Sequence, residues 1–196
     1  GLKDNVFDEE DKDYYLDIIV DEAKKMGSLV SEMLDLSYLE SEAFKLSKEQ
    51  YCFADLIRNT LKKYDKIAND KKVLFELDLL EDFKVYSDFN RMEQVLTNFI
   101  TNALRHVEDN GVIRINMKES KEIISVEIEN TGSHIDDKDI DKIWDKFYKV
   151  DKSRNRKLGG TGVGLSIVKN ILNLHGYSFG VQNTQSGVKF YFNIPK

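Results

Sequence analysis

The sequence GGTGVGL at residues 159–165 runs directly into SIVKNIL at 166–172, whose apolar positions repeat with the spacing of a helix. Glycine has no Cβ, so backbone N–H groups in such a run can approach an anion, and a helix N-terminus favours negative charge. The run lacks the GxxxxGK[ST] spacing of a P-loop, and the polar segment before it differs from the strand of a dinucleotide fingerprint. The stretch is therefore either a flexible loop or a phosphate-facing loop of another kind.

A second stretch, NFITNALR at residues 98–105, places two asparagines four residues apart. Asn98 and Asn102 share one face of a helix predicted over residues 88–107, with Asp88 as its N-cap. Amide oxygens are suitable ligands for Mg²⁺, which also binds phosphate oxygens. The two stretches together predict a nucleotide site, although a surface position for Asn102 is the alternative.

The composition limits the class of protein. The chain has 196 residues, which suits one domain with an appended segment. Hydrophobic residues make up 41% and charged residues 33%, a balance typical of globular rather than disordered proteins. The net charge of −6 disfavours nucleic acid as a partner. A single cysteine, Cys52, excludes an internal disulfide and a cysteine-based zinc site. With no apolar run of about 18 residues, this chain is predicted not to span a membrane.

The N-terminal segment is predicted to form one long helix over about residues 10–41. Its apolar side chains alternate spacings of three and four, as in a heptad stripe: Leu16, Ile19, Ala23, Met26, Val30 and Met33. An amphipathic helix of this length needs a partner that covers the stripe. A helix bundle between chains is favoured, and packing on the following domain is the alternative.

The rest of the chain alternates helical and strand patterns. Helices are predicted over residues 53–68, 88–107 and 166–175, and strands over 73–79, 83–86, 111–118, 123–129, 178–182 and 189–194. This order predicts an α+β fold, a two-layer sandwich with helices on one face of a mixed, mostly antiparallel sheet.

The order of the motifs resembles the ATP-binding domain of sensor histidine kinases, within the superfamily that includes gyrase B, Hsp90 and MutL. The N box is similar to QVLTNFITNALRH at 94–106, the G1 box to NTGSHI at 130–135, and the F box to IWDKFY at 143–148. The glycine run corresponds to the G2 box, and SGVKFYFNIP at 186–195 to the closing strand. The resemblance covers about residues 50–196 and implies a Bergerat-type ATP-binding fold with ATP and Mg²⁺ as ligands.

The resemblance also implies a division of the chain. Residues 1–48 correspond to part of a dimerisation and histidine-phosphotransfer segment, and residues 49–196 to the ATP-binding catalytic domain. The family's phosphoacceptor histidine lies on a first hairpin helix that has no match here. The three histidines, His106, His134 and His175, all lie outside the N-terminal helix.

The resemblance assigns roles to individual residues. Asn102, with Asn98 beside it, is the expected metal ligand, and Arg105 and Arg154 are expected to meet phosphates, although a solvated loop is an equal alternative for Arg154. His106 either stacks near the nucleotide or is only packed. Phe147 and Tyr148 either anchor a lid over about residues 149–160 or belong to the core. The remaining expected ATP contacts are Asn130, Gly132, Ile135, Gly160, Thr161, Gly162, Val163, Gly164, Leu165 and Val188.

Three positions depart from the family pattern. Asn130 stands where an aspartate usually accepts a hydrogen bond from the adenine amino group, His134 replaces a glycine, and Val188 replaces a threonine. The Asn130 carbonyl can still accept that bond, and its NH₂ group could donate to a ring nitrogen. These departures keep open an alternative function, a non-catalytic interaction module with weakened nucleotide binding.

The chemistry follows from the N box. Hydrolytic relatives carry a general-base glutamate at the position of Asn98, and a conformational-clamp ATPase is disfavoured for that reason. Phosphoryl transfer to a histidine outside this chain, and then to an aspartate of a response regulator, fits better. The resemblance therefore implies a response regulator receiver domain as partner, self-association through the helical hairpin, and a place in the cytoplasmic portion of a membrane sensor.

Overall fold

The structure is a computed structural model and describes residues 9–150 and 160–196. The elements are α1 (Glu9–Leu39), β1 (Lys48–Cys52), α2 (Phe53–Lys62), α3 (Asp65–Asp70), β2 (Leu74–Asp78), β3 (Lys84–Asp88), α4 (Phe89–His106), β4 (Val112–Glu119), β5 (Ile123–Thr131), a 3-10 helix (Lys142–Trp144), α5 (Gly164–His175), β6 (Ser178–Asn183) and β7 (Gly187–Pro195).

The main sheet has five strands in the order β2-β4-β5-β7-β6. Only β2 is parallel to its neighbour, β4, and the other described pairs are antiparallel. Side chains of β5 alternate between buried and half-buried, so one face of the sheet packs against helices, as a period of two requires. The predicted α/β sandwich with a mostly antiparallel sheet is confirmed.

Asn130 ends the buried row of β5. The row begins with three apolar residues, Ile124, Val126 and Ile128, and Asn130 is 2% exposed although it is polar. In the register of β5 with β7, Asn130 lies opposite Val188. The sheet therefore carries these two residues to the edge of the core beneath the helices.

One local prediction was wrong, and one strand was missed. The helix predicted over residues 53–68 is two helices, because Lys63 and Tyr64 donate to carbonyls three residues back and close a 3-10-type turn. The strand predicted over 83–86 pairs with β1, which was not predicted, in a separate two-stranded antiparallel sheet.

The cap of α4 agrees with the prediction and joins three parts of the fold. The Asp88 carboxylate accepts hydrogen bonds from the backbone N–H groups of Arg91 (3.1 Å) and Ser47 (2.9 Å). The Asp88 backbone N–H donates to His175 Nε2 at 3.1 Å. The cap therefore fixes the start of α4, which carries the two candidate asparagines, against the end of α5.

The long helix α1 is confirmed as one continuous element, and its two halves have different surroundings. Its stripe is uncovered, with Leu16 50% and Val30 55% exposed, whereas Leu36 and Leu39 near its end are buried in the core. Asp35 accepts hydrogen bonds from Arg91 Nη1 (2.8 Å) and Gln94 Nε2 (2.6 Å) on α4. Within the described residues, no helix is both long enough and apolar enough to cross a membrane.

Candidate nucleotide-binding site

A cavity of about 1190 Å³ lies between α1, α4, the ends of β5 and β7, and the N-terminus of α5. Fourteen of the residues predicted for the site line it: Asn98, Asn102, Arg105, His106, Asn130, Gly132, Ile135, Tyr148, Gly160, Thr161, Gly162, Gly164, Leu165 and Val188. Phe147 and Val163 do not reach the cavity surface, and Arg154 lies outside the described residues. Motifs from four separate parts of the chain thus face one space.

The two asparagines of α4 meet the start of α5. Asn98 Nδ2 donates to the Gln94 carbonyl at 3.0 Å, which fixes the amide. Its Oδ1 lies so close to Gly164 that a Cβ added there would be 2.6 Å from it. A side chain at this position would therefore displace the Asn98 amide. Asn102 follows one helical turn further along the same face.

The oxygens in this part of the cavity suit Mg²⁺ only if a nucleotide is present. Among the described residues there is no group of three or more histidine, cysteine, aspartate or glutamate side chains that could hold a metal. Mg²⁺ often uses one or two protein oxygens and completes its shell with phosphate oxygens and water. Asn102 and Asn98 fit that donor set, because they offer neutral oxygens beside the glycine run.

The glycine run owes its shape to backbone contacts behind it. Gly162 has a φ of 78°, in the left-handed region, and its carbonyl accepts from the Phe147 N–H at 2.8 Å. A Cβ on Gly162 would lie 3.1 Å from the Phe147 backbone. The Phe147 side chain is 51% exposed, so it lies outside the core, while its backbone supports the glycine run. A role for this side chain in a lid stays a prediction, because residues 151–159 lie outside the described residues. Val163 is fully buried and packs beneath the run, because it is the apolar residue from which α5 enters the core.

Arg105 places positive charge beside the glycine run, and His106 is the next residue of α4. A Cβ on Gly160 would lie 3.2 Å from the Arg105 guanidinium, so the two groups are in close contact. Burial lowers the pKa of Arg105 and the Glu32 carboxylate opposes that change. The pKa of His106 is lowered because protein atoms surround the partly exposed ring and because Arg105 and Lys71 are cationic. His106 is therefore predominantly neutral near pH 7, which suits stacking better than charge pairing.

Asn130 lies at the opposite end of the cavity, and its amide orientation is fixed by two acceptors. Nδ2 donates to Ser133 Oγ at 2.9 Å and to the Thr131 carbonyl at 3.3 Å. Oδ1 has no partner among the described residues, yet no buried polar side-chain atom there lacks a partner, so solvent reaches Oδ1 from the cavity. Of the two roles open for this amide, the geometry therefore favours that of acceptor.

A neighbouring residue that the sequence analysis missed, Asn183, holds the G1-like segment. Its Oδ1 accepts from the Ile135 N–H at 2.9 Å, and its Nδ2 donates to the Ile135 carbonyl at 2.7 Å. His134 also lines the cavity, and its ring is hydrogen-bonded through Nε2 to the Thr184 carbonyl at 3.0 Å. The turn itself uses Gly132, whose φ is 90°. Ile135 is thus fixed against the cavity by a side chain 48 residues away in sequence.

Tyr148 is held by a buried carboxylate that was also missed. Its hydroxyl donates to Asp139 Oδ1 at 2.7 Å, and Asp139 is only 4% exposed. This hydrogen bond raises the pKa of Tyr148, since it stabilises the neutral phenol. Tyr148 therefore lines the cavity and also packs against the core.

The wall formed by α1 was not predicted at all. Residues on one side of this helix line the cavity: Glu22, Lys25, Met26, Ser28, Leu29 and Glu32. Thr161 Oγ1 in the glycine run donates to Glu32 Oε2 at 2.5 Å. The carboxylate of Glu93 on α4 points elsewhere and pairs with Lys63 at 3.0 Å. The acid at the site therefore comes from α1, whose long heptad pattern carries no signal of such a role.

Comparison with known proteins agrees with this arrangement. The profile of the family described as histidine kinase-, DNA gyrase B-, and HSP90-like ATPase matches residues 87–196, more than half of the chain. The sensor protein SrrB of Staphylococcus aureus is 34% identical over 183 residues, which are 92% of this chain and 31% of SrrB. The chain thus spans about a third of the length of the curated relatives it matches.

Solved structures agree in fold. The catalytic domain of histidine kinase ThkA is 29% identical, with a TM-score of 0.69 over 76% of this chain and 96% of that domain. The histidine kinase AdeS of Acinetobacter baumannii is 26% identical, with a TM-score of 0.80 over 100% of this chain and 89% of that chain. ThkA in complex with the response regulator TrrA is 27% identical, with a TM-score of 0.76 over 99% of this chain and 54% of that chain.

The profile match contains both asparagines, Asn130 and the glycine run, the same groups that converge on the cavity. The chain belongs to the histidine kinase-, DNA gyrase B-, and HSP90-like ATPase family, as the ATP-binding region of a sensor histidine kinase.

Proposed function

We propose that this chain binds Mg²⁺–ATP in the cavity and donates the γ-phosphoryl group to a histidine outside these 196 residues. The observation that carries the proposal is the convergence of Asn98 and Asn102, the glycine run and Asn130 on one space. Asn102 and Asn98 would hold the metal, which neutralises phosphate charge when bound. The amides of the glycine run and Arg105 would hold the phosphates, and Asn130 Oδ1 would accept from the adenine amino group.

Transfer rather than hydrolysis is supported by the position of the acids. A water nucleophile needs a base within hydrogen-bond reach. Glu93 is engaged with Lys63 outside the cavity, and the side chain of α4 beside the start of α5 is Asn98, an amide that cannot accept a proton from water. In the proposed step the bond from the γ-phosphorus to the bridging oxygen breaks, ADP leaves, and a phosphorus–nitrogen bond forms on the imidazole. The chain's own part is to hold the triphosphate while another element supplies the nucleophile.

The domain division and the partners are proposals of the same kind. Residues 1–48 would contribute to a dimerisation hairpin and residues 49–196 would form the catalytic domain. The exposed stripe of α1 supports self-association, because about half of each of Leu16 and Val30 is open to solvent. A response regulator receiver domain is the proposed phosphoryl acceptor after the histidine, supported by the similarity to a kinase solved in complex with a response regulator. The whole protein would be a membrane sensor with this chain on the cytoplasmic side.

Titration calorimetry tests the nucleotide site. The non-hydrolysable analogue AMPPNP with Mg²⁺ should bind this chain in the micromolar range, and Asn102→Ala should weaken binding by roughly 10–100-fold, as loss of a metal-site residue commonly does. Asn59→Ala is the matched control, since Asn59 lies on α2 away from the cavity. A second protein that carries a hairpin helix with a phosphoacceptor histidine should then gain phosphohistidine from ATP in the presence of this chain.

A second candidate function is a non-catalytic module with weakened nucleotide binding. Asn130 favours it, because a neutral amide gives a weaker hydrogen bond than the family's aspartate. His134 and Val188 are the other departures, and the valine removes a hydroxyl opposite Asn130. Absence of AMPPNP binding by the unaltered chain would decide for this second function.

A further inference from the structure

The carboxylate of Glu32 lies at the glycine-run end of the cavity. Glu32 Oε2 accepts a hydrogen bond from Thr161 Oγ1 at 2.5 Å, and Glu32 Oε1 accepts one from Ser28 Oγ at 3.1 Å. Thr161 and Glu32 are 129 residues apart in sequence. The contact therefore exists only while α1 lies against the start of α5.

This is the end of the cavity that is built for an anion. The N-terminus of α5, preceded by glycines, attracts negative charge, and Arg105 lies beside Gly160. The Glu32 charge already acts on the Arg105 guanidinium. A carboxylate held by a hydroxyl donor near a guanidinium uses the interactions that a phosphate oxygen would use.

The position of Glu32 is fixed by the docking of α1. One turn further along α1, Asp35 is bonded to Arg91 and Gln94, and Leu36 and Leu39 are buried. Glu40 pairs with Lys146 at 2.7 Å at the end of the helix. Glu32 is thus carried into the cavity by a helix that is anchored on both α4 and the segment before the glycine run.

We propose that Glu32 is an internal competitor of the triphosphate, so that nucleotide binding and the docking of α1 oppose each other. The proposal rests on the proposed function, since it assigns the glycine-run end of the cavity to phosphates. A triphosphate that occupies this end takes the Thr161 hydroxyl and meets the Glu32 charge at close range. Docked α1 therefore lowers ATP affinity, and by linkage bound ATP loosens α1 by the same factor.

Calorimetry with Mg²⁺–AMPPNP and, separately, with adenosine tests the charge. Glu32→Gln keeps the size of the side chain and removes the charge, and it should tighten AMPPNP binding about fivefold or more, the low end of usual coupling between sites. It should leave adenosine affinity unchanged, because adenosine carries no phosphate. Asp21→Asn is the matched control: Asp21 lies on the same helix but does not line the cavity, its carboxylate pairs with Lys24 at 3.7 Å, and this variant should bind AMPPNP like the unaltered chain.

A second variant tests the docking. Asp35→Asn leaves Glu32 unmutated but weakens the hydrogen bonds of α1 to Arg91 and Gln94. This variant should also tighten AMPPNP binding, because α1 is docked less firmly. Conversely, AMPPNP should speed amide hydrogen exchange in residues 25–39 of the unaltered chain. Thermal melting of both variants establishes that residues 49–196 stay folded.

The outcomes separate this inference from the proposed function. If none of the proteins binds AMPPNP, the proposed function fails and this inference fails with it. If the unaltered chain binds AMPPNP and Glu32→Gln binds it equally or more weakly, only this inference is overturned. An equal gain for adenosine also overturns it, since the effect would then not concern phosphates. Unchanged affinity in Asp35→Asn, together with unchanged exchange in α1, refutes the coupling to docking.

Discussion

Adding one methyl group at the start of α5 should separate nucleotide binding from stability. In Gly164→Ala the new Cβ would lie 2.6 Å from Asn98 Oδ1, where ordinary contact begins at 3.4 Å. The Asn98 amide must therefore retreat by about 0.8 Å, the difference between these two distances. It can do so because Oδ1 is the end of a side chain, but the hydrogen bond from Nδ2 to the Gln94 carbonyl is then strained or lost.

The expected effect on folding is small. Loss of that hydrogen bond costs about 0.5–1.5 kcal/mol, whereas alanine in place of a glycine without positive φ contributes roughly 0.4–1 kcal/mol by restricting the unfolded chain. The two nearly cancel, so the free energy of unfolding should change by less than about 1 kcal/mol. The proposed metal site has no such compensation, and affinity for Mg²⁺–AMPPNP should fall roughly 10–100-fold, as for loss of an orienting group at a metal.

Urea unfolding and calorimetry on the same preparations measure both quantities. Gly27→Ala is the matched control, because Gly27 lies in helix α1 and a Cβ there meets nothing within 4 Å. That variant should keep nucleotide affinity. A Gly164→Ala protein that is folded and binds Mg²⁺–AMPPNP like the unaltered chain would refute the assignment of Asn98 to the metal site.

Three further predictions concern stability and the end of the cavity at Asn130, where we propose that the adenine binds. If the Asn130 amide is fixed as an acceptor, ATP should bind roughly tenfold more tightly than ITP, because the 6-oxo group of ITP meets Oδ1 unfavourably. Ser133→Ala removes a hydrogen bond that orients the amide, so it should reduce the ratio of ATP to ITP affinity in competition calorimetry. Equal affinities of the unaltered chain for ATP and ITP would contradict the prediction. Gly187→Ala should lower the free energy of unfolding by more than about 3 kcal/mol in urea titration, because the added Cβ would overlap the Asn130 carbonyl oxygen at 1.9 Å. Burial lowers the pKa of His175, so the unfolded chain binds a proton at this residue more readily than the folded chain does. The contribution of His175 to the free energy of unfolding should therefore be complete above about pH 6.5 and fall as the pH drops below that value. In urea titrations, His175→Gln should make the free energy of unfolding less dependent on pH.

Periodicity and motif spacing were sufficient for the parts of the site that lie within one element. The cap residue Asp88 and the four-residue spacing of Asn98 and Asn102 are local properties of α4, and the structure confirms the helix that carries them. The glycine run and the helix after it are local in the same sense. A sequence pattern could therefore predict which face of α4 and which end of α5 turn toward the cavity.

The parts that were missed depend on contacts between distant segments. Asn183 at the end of β6 holds Ile135 by two hydrogen bonds, and Asp139, in a loop, accepts a hydrogen bond from Tyr148. Neither Asn183 nor Asp139 stands in a periodic pattern. The strand β1 was missed because its alternation is weak and its partner, β3, lies outside the main sheet. Glu32 is the strongest case: a heptad pattern reports the apolar face of α1, and says nothing about which polar residue meets Thr161.

The polar groups of the cavity lie at two separate ends, so discrimination among bases and affinity for phosphates should be separable by mutation. At the proposed base end, Asn130 is neutral and its neighbours Val188 and Ile135 are apolar, so discrimination among bases depends on the direction of one amide. At the glycine-run end, Arg105 and Glu32 carry opposite charges, so affinity depends on how many phosphates are present and on where α1 lies. A change of charge at Glu32 should therefore alter the affinity for ATP and ITP by one common factor. Loss of the Ser133 hydroxyl should instead alter the ratio of ATP affinity to ITP affinity. If a variant of Glu32 or Ser133 changed both the common affinity and this ratio, the glycine-run end and the base end of the cavity would be coupled.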